Sequence, residues 1–193
     1  MKTIEKIGSY FLMLQKVFGK FTKWSVLRPL IFKDIEVLIL GSIGIVAFIS
    51  FFVGGVVAIQ TALNMSNPLI PKNLIGYATR QSVIMEFAPT FMSIIMAGKV
   101  GSYITSSIGT MRVTEQIDAL EVMGINTYNY LIFPKIIALL LYPFIITFSM
   151  FLGVLGGYIA SVYGEFCSSA LFIEGIQIDF IPFHIQYAFI KTI

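Results

Sequence analysis

This chain is short of charge. Only 12% of its 193 residues are Asp, Glu, Lys or Arg, while 57% are hydrophobic. Soluble domains run near a quarter charged, so an ordinary water-soluble domain is excluded at once. Histidine and cysteine are almost absent. The single His184 offers no H-E-x-x-H or similar ligand spacing, so no metal site is expected, and it reads as interfacial or structural. The single Cys167 cannot close an intramolecular disulfide. Nothing supplies a third group for a Cys167–His184 relay, which sets aside an intramembrane hydrolase or acyltransferase. No G-x-x-x-x-G-K-[ST] occurs: AGKVGS, Ala97 to Ser102, has a Gly-Lys pair without the phosphate-wrapping spacing and lies inside an apolar run. The chain is thus expected to be no enzyme and to hold no cofactor, with any ATP hydrolysis left to another chain. Net charge is +3, and no basic cluster is interleaved with stacking aromatics, so nucleic acid is not an expected partner.

What is present is apolar length. Val37 to Ile59 is 23 residues without a charge. At 1.5 Å per residue that is ~34 Å, enough for a bilayer core of ~30 Å. This is the expected first span, 37–59, and it must act as its own insertion signal, because no cleavable signal peptide is visible. A second span is expected over 82–108 and a third over 131–163. A fourth begins at 181 and stops within it at 193, which reads as an incomplete last helix in a truncated chain. Residues 60–82, with Pro68, Pro71, Lys72 and Arg80, read as a loop. Residues 1–36 carry seven basic side chains against three acidic ones. Ile4, Ile7, Phe11, Leu14, Phe18 and Phe21 recur at helical spacing, which fits an amphipathic helix in the membrane interface, or a packing helix in water. Pro29 is expected to break the chain before the first span. The fold class expected is all-α integral membrane protein, one compact membrane domain over 1–193.

Within the second span Glu86 and Lys99 are ionisable. A charge near mid-bilayer costs ~2.5–3.5 kcal/mol on insertion scales, so each is expected to face a cavity, a partner helix or a counter-charge. One such counter-charge for Glu86 is Lys99 or Arg80. Ala97, Gly101, Thr105 and Gly109 recur every four residues and form an expected helix-packing face; Gly153, Gly157 and Ser161 form another.

Between the second and third spans lies a polar island, GTMRVTEQIDALEVMG, Gly109 to Gly124. Thr110 is a candidate cap and Gly124 a candidate stop for a helix there. Val113, Ile117 and Leu120 fall on one face; Arg112, Glu115, Asp118 and Glu121 wind around the other, with Arg112 and Glu115 able to pair. Glu121 opposes the helix dipole, which a basic partner surface would explain; the alternative is an ordinary loop helix with solvated charges. Basic residues flank the N-terminus and the 109–135 region nine to two over the opposite side, which puts both in the cytoplasm.

The run EFAPTFMSIIMAGKVGSYITSSIGTMRVTEQIDALEVMGINTYNYLIFPKIIA, Glu86 to Ala138, resembles the signature region of the MlaE/YrbE permeases, membrane subunits of ABC lipid transporters associated with MCE proteins. The resemblance extends through AIQTAL, Ala58 to Leu63, and to the FIKTI ending. It implies a homodimeric permease of the bacterial inner membrane that moves phospholipid-like substrates. It also implies that 109–127 is a coupling helix seated on a separate ATPase subunit, with Arg112, Glu115, Gln116, Asp118 and Glu121 as the contact set. Glu86, and Lys191 of the I-K-[ST] pattern, are implied to lie at the lipid cavity, with Lys99 a further candidate. A periplasmic MCE protein and membrane lipids complete the implied partners. The chain departs from the family where Met85 replaces a basic residue, and in ending before a fifth span. Rival readings are a non-transporting membrane anchor and an ion channel, the latter disfavoured by the few polar residues in the spans.

Overall fold

The computed structural model of the chain describes residues 2–19, 22–65 and 70–191, the side chains of residues 2–4 excepted. The side chains of Lys2 and Ile4, and residues Lys20, Phe21 and Pro68, therefore fall outside the description. Among the described residues all regular structure is helical: α1 Lys2–Phe18, α2 Trp24–Leu38, a 3₁₀ turn Leu40–Ser42, α3 Ile43–Asn64, α4 Leu74–Ser82, a π-helical segment Val83–Phe91, α5 Met92–Val113, α6 Gln116–Val122, α7 Thr127–Leu139, α8 Tyr142–Tyr163, α9 Ser169–Gln177 and α10 Phe183–Lys191. Three helical stretches, Trp24–Asn64, Leu74–Val113 and Thr127–Tyr163, are long and apolar enough to cross a membrane. This is an all-α membrane protein. The chain divides into two compact units, Met1–Gly41 with Gly98–Leu141, and Ser42–Ala97 with Tyr142–Ile193.

The second unit is built on backbone contact. Helix α3 lies along α8, and the seam is lined by glycine because nothing larger fits. A Cβ on Gly54 would strike the Gly153 carbonyl, and one on Gly156 the Phe51 carbonyl. On Gly157 it would come within 2.7 Å of the Thr79 methyl. Small residues are how helices associate where lipid removes the hydrophobic incentive. In the same seam the Ser50 hydroxyl donates to the Val46 carbonyl at 2.6 Å and pairs with Ser149 Oγ at 2.9 Å. Helices α4 and α9 repeat the device: Gly76 sits against the Phe172 backbone and Gly175 against Asn73. Phe172, Ile75, Ala62 and Cys167 form the core beneath them.

The first unit is held by amides and one buried ion pair. Asn126 caps α7 by accepting from the Asn129 N–H at 3.4 Å, and its Nδ2 donates to the Lys16 carbonyl at 2.9 Å. Asn129 Nδ2 donates to the Val17 carbonyl at 2.8 Å, while its Oδ1 accepts from the Thr22 N–H at 3.0 Å. The α7 start therefore clips the end of α1. Val17 is buried and Leu14 half-buried, but Ile7, Phe11 and Phe18 of the expected apolar face stay exposed. Helix α2 packs on α7, and buried Asp34 meets buried Lys135 at 3.5 Å.

Several expectations change. Residues 60–82 are mostly helix: α3 runs on to Asn64 and α4 fills Leu74–Ser82. Pro29 sits inside α2 without ending it, since its ring removes a single ladder bond. The third span is two helices. Pro143 follows Tyr142 at the start of α8, where proline suits a first turn and discourages helix in the residues before it. Where a fourth span was expected to begin, the helix is α10, Phe183–Lys191. The face Ala97, Gly101, Thr105 and Gly109 is exposed, and a Cβ on Gly101 or Gly109 meets nothing within 4 Å. Among the described residues no atom lies within 4 Å of a Cβ placed on either glycine, whereas the Gly153/Gly157 stripe is closely packed.

Gly156→Val is expected to lower stability by at least ~2–3 kcal/mol, because the new side chain meets backbone rather than a flexible neighbour. Gly101→Ala is expected to change it by less than ~0.5 kcal/mol or to help. Thermal unfolding in detergent, followed by size-exclusion fluorescence, separates the two.

Candidate functional site

Glu86 owes its place to an unusual backbone. Val83–Phe91 is π-helical and contains Pro89. Proline has no N–H to give, and π-turns gather at functional sites because they swing side chains out of helical register. Helix α10 packs on this segment. It brings Lys191 Nζ to 3.1 Å from Glu86 Oε2, with a second bond to the Met85 carbonyl at 3.0 Å. The Glu86 side chain is 66% exposed and that of Lys191 30%. In water such a pair stabilises little. In an apolar surrounding, neutralising two charges on each other removes most of the cost of each.

Beside the π segment runs a groove of about 370 Å³, lined by Val53, Val57, Gln60, Thr61, Phe87 and Phe91 among others. Phe87 and Phe91 stack at 5.2 Å between ring centroids. The wall is apolar with a few polar atoms, the usual character of a pocket for an amphiphile. The pair and the groove share the π segment, since Glu86 immediately precedes Phe87 of the groove wall.

The other cations of the apolar runs are answered elsewhere. Lys99 Nζ donates to the Gly41 carbonyl at 2.6 Å. Arg80 is buried and donates to the carbonyls of Ile176 at 2.6 Å and Ile178 at 2.9 Å, at the end of α9. It lies over the Tyr77 and Phe180 rings. Neither is the counter-charge of Glu86. Sequence reasoning missed the Arg80 cap and the Asp34–Lys135 pair; a charge inside an apolar run was the only available signal.

The polar island is not one helix. Thr110 does not cap: it lies within α5 and its hydroxyl donates to the Ser106 carbonyl at 2.9 Å. Helix α5 ends at Val113, Glu115 turns the chain with φ 57, and α6 runs Gln116–Val122. Gly124, with φ 71, stops it as expected. The turn redirects the pairing: Arg112 Nη1 meets Asp118 at 3.0 Å, not Glu115. Glu121 accepts from the Thr127 hydroxyl at 3.5 Å. Arg112, Glu115, Gln116, Asp118 and Glu121 are all exposed. Ile117 and Leu120 are half-buried, but Val113 is 84% exposed, with Val122 at 90% and Met123 also bare. The island thus shows charges and bare apolar side chains together, a mixture composition alone did not reveal.

Cys167 is buried, with its Sγ 3.5 Å from the Lys72 and Ser168 carbonyls. No group of three potential metal ligands occurs among the described residues. Burial pushes the Cys167 thiol up from its ordinary value, so the thiolate fraction at neutral pH is below that of a free cysteine. Maleimide labelling of the folded protein is expected to be at least ~10-fold slower than that of a Val113→Cys, Cys167→Ser variant at pH 7. The Cys167 rate should climb as pH rises.

The permease family model described as Permease MlaE matches residues 31–193. A probable ABC transporter permease protein of Rickettsia bellii (strain RML369-C) is 34% identical over 169 residues, 81% of this chain and 65% of that one. Another, of Rickettsia conorii (strain ATCC VR-613 / Malish 7), is 32% identical over 179 residues, 90% of this chain and 67% of its own. A third, of Synechocystis sp. (strain ATCC 27184 / PCC 6803 / Kazusa), is 34% identical over 137 residues, covering 70% and 52%. The chain spans about two thirds or less of the length of these relatives.

Proposed function

Since this chain belongs to the MlaE permease family, we propose that it is the membrane subunit of an ABC-type transporter that moves phospholipid-like molecules through the bacterial inner membrane. The observation that carries the reading is the Glu86–Lys191 pair, 3.1 Å apart, on a π segment whose Phe87 and Phe91 line an apolar groove. Its chemistry suits a zwitterionic or anionic headgroup. Lys191 is the electrophilic partner for a phosphate, and Glu86 neutralises it when no lipid is present. The Val53–Phe91 wall takes acyl chain. Met85 offers only its backbone carbonyl to this site, so headgroup contact falls to Lys191. Lys99, the further candidate, donates to the Gly41 carbonyl at 2.6 Å.

In the same reading, the 109–124 segment faces the cytoplasm and docks on a separate ATPase. Two copies of the permease enclose the path, and lipid is exchanged with an MCE-type periplasmic protein. The left-handed turn at Glu115 makes α6 a short rigid arm on the end of α5, suited to transmitting a push along that helix. Val113, Val122 and Met123 supply the apolar contacts and the exposed charges set the orientation. The ATPase supplies the bound ATP-Mg; this subunit supplies the path.

Reconstituted with its ATPase in proteoliposomes, the wild-type permease is expected to move fluorescent phospholipid in an ATP-dependent manner. Glu86→Gln and Lys191→Gln should each cut that rate at least ~10-fold, about 1.4 kcal/mol of lost stabilisation. Unchanged transport in both would remove the pair from the path. For the docking segment, Glu115→Lys/Asp118→Lys is expected to abolish co-purification of the ATPase while membrane insertion stays normal. The exposed Arg112–Asp118 pair contributes only ~0–1 kcal/mol to folding, so lost binding reports contact rather than collapse. Retained binding would move the docking site elsewhere and favour a non-transporting anchor.

A further inference from the structure

The unit formed by Met1–Gly41 and Gly98–Leu141 encloses a second cavity, of about 460 Å³, to which the reading above gives no role. Its wall includes Lys33 and Asp34 from α2, Tyr103 and Ser107 from α5, and Tyr130 and Lys135 from α7. The charges are not equivalent. Asp34 is buried and engaged, meeting Lys135 Nζ at 3.5 Å and accepting from the Tyr103 hydroxyl at 3.5 Å. Lys135 has three N–H groups and directs one of them to Asp34. Lys33 is exposed and meets no acid among the described residues. The lining therefore holds two cations against one anion whose lone pairs face its own partners. The hydroxyls of Ser107 and Tyr130 add donors.

One unit of excess positive charge, with N–H and O–H donors converging on a cavity of this size, complements an oxyanion that carries one negative charge and several acceptor oxygens. We propose that this cavity binds a phosphate oxyanion, the phosphodiester of an anionic phospholipid. The source is favoured by the helix that carries Lys33. Val26 and Phe32 of α2 are exposed large apolar residues in a stretch apolar enough to lie in a membrane, so acyl chain runs beside the opening. Basic pockets between membrane helices are where anionic headgroups settle. Bound there, the lipid ties α2, α5 and α7 together beneath the docking segment, whose Gln116 shares the wall. The site is independent of Glu86 and Lys191.

Native mass spectrometry of the delipidated full-length permease tests this, with phosphatidylglycerol or phosphatidylcholine added back. Wild type should retain phosphatidylglycerol in preference to phosphatidylcholine. Lys33→Glu or Lys33→Gln should lower that retention by about tenfold. Lys23→Glu, an exposed lysine of the same flank outside the cavity wall, should leave it unchanged. If instead excess inorganic phosphate raises the melting temperature of wild type and not of Lys33→Glu, with no lipid preference, the oxyanion site stands and its ligand is free phosphate. Equal loss in the Lys23 and Lys33 variants, or no loss and no phosphate-dependent shift, overturns the proposal.

Discussion

A cation among acyl chains has to be met by an oxygen of the protein, because hydrocarbon offers none. Four cations in the apolar runs of this chain are met in that way, and their partners define much of its structure. Arg80 closes the carbonyl end of α9, Lys99 reaches the Gly41 carbonyl, Lys135 reaches Asp34, and Lys191 reaches Glu86 and the Met85 carbonyl. Three of these are buried or carbonyl-bound and serve to fasten helices. Lys191 differs in that its acid is largely exposed, on a π segment whose Phe87 and Phe91 line an apolar groove. A charge pair that is both made and accessible can be remade with a ligand, which is why the functional reading rests there.

The rigid part of that site is the glycine seam. Helices α3 and α8 approach until backbone touches backbone, with Val83 of the π segment against Gly153. The π segment is thus held from below by α8 and from the side by α10. Its irregular turn carries Glu86 outward. Local irregularity survives here because its surroundings are overdetermined. The 109–124 segment is the opposite case: a left-handed turn and a seven-residue helix with no buried residue.

Much of the fold was legible in the sequence. Apolar runs of 23 and 29 residues admit few readings other than spans, and Gly124 ended its helix as its conformational freedom suggests. What was not legible depends on distant pairing. Glu86 and Lys191 are 105 positions apart, and only the family resemblance brought them to one cavity; Asp34 and Lys135 are 101 apart, and nothing local joins them. The small-residue stripes show the limit most clearly. Ala97/Gly101/Thr105/Gly109 and Gly153/Gly157/Ser161 look alike as patterns, yet among the described residues the second is closely packed and the first is exposed. A pattern names a face, and the fold decides what it meets. The Arg112–Glu115 pairing failed for a related reason, because i,i+3 spacing means proximity only while the helix continues, and here it stops at Val113.

The central claim is that Glu86 and Lys191 act as one unit in the lipid path. A double-mutant cycle on ATP-driven lipid transfer, with Glu86→Gln, Lys191→Gln and the pair together, tests it most directly. The account predicts strong non-additivity, with the double variant losing about as much as either single one and a coupling of ~1–3 kcal/mol. Losses that simply add would show two independent residues and contradict it.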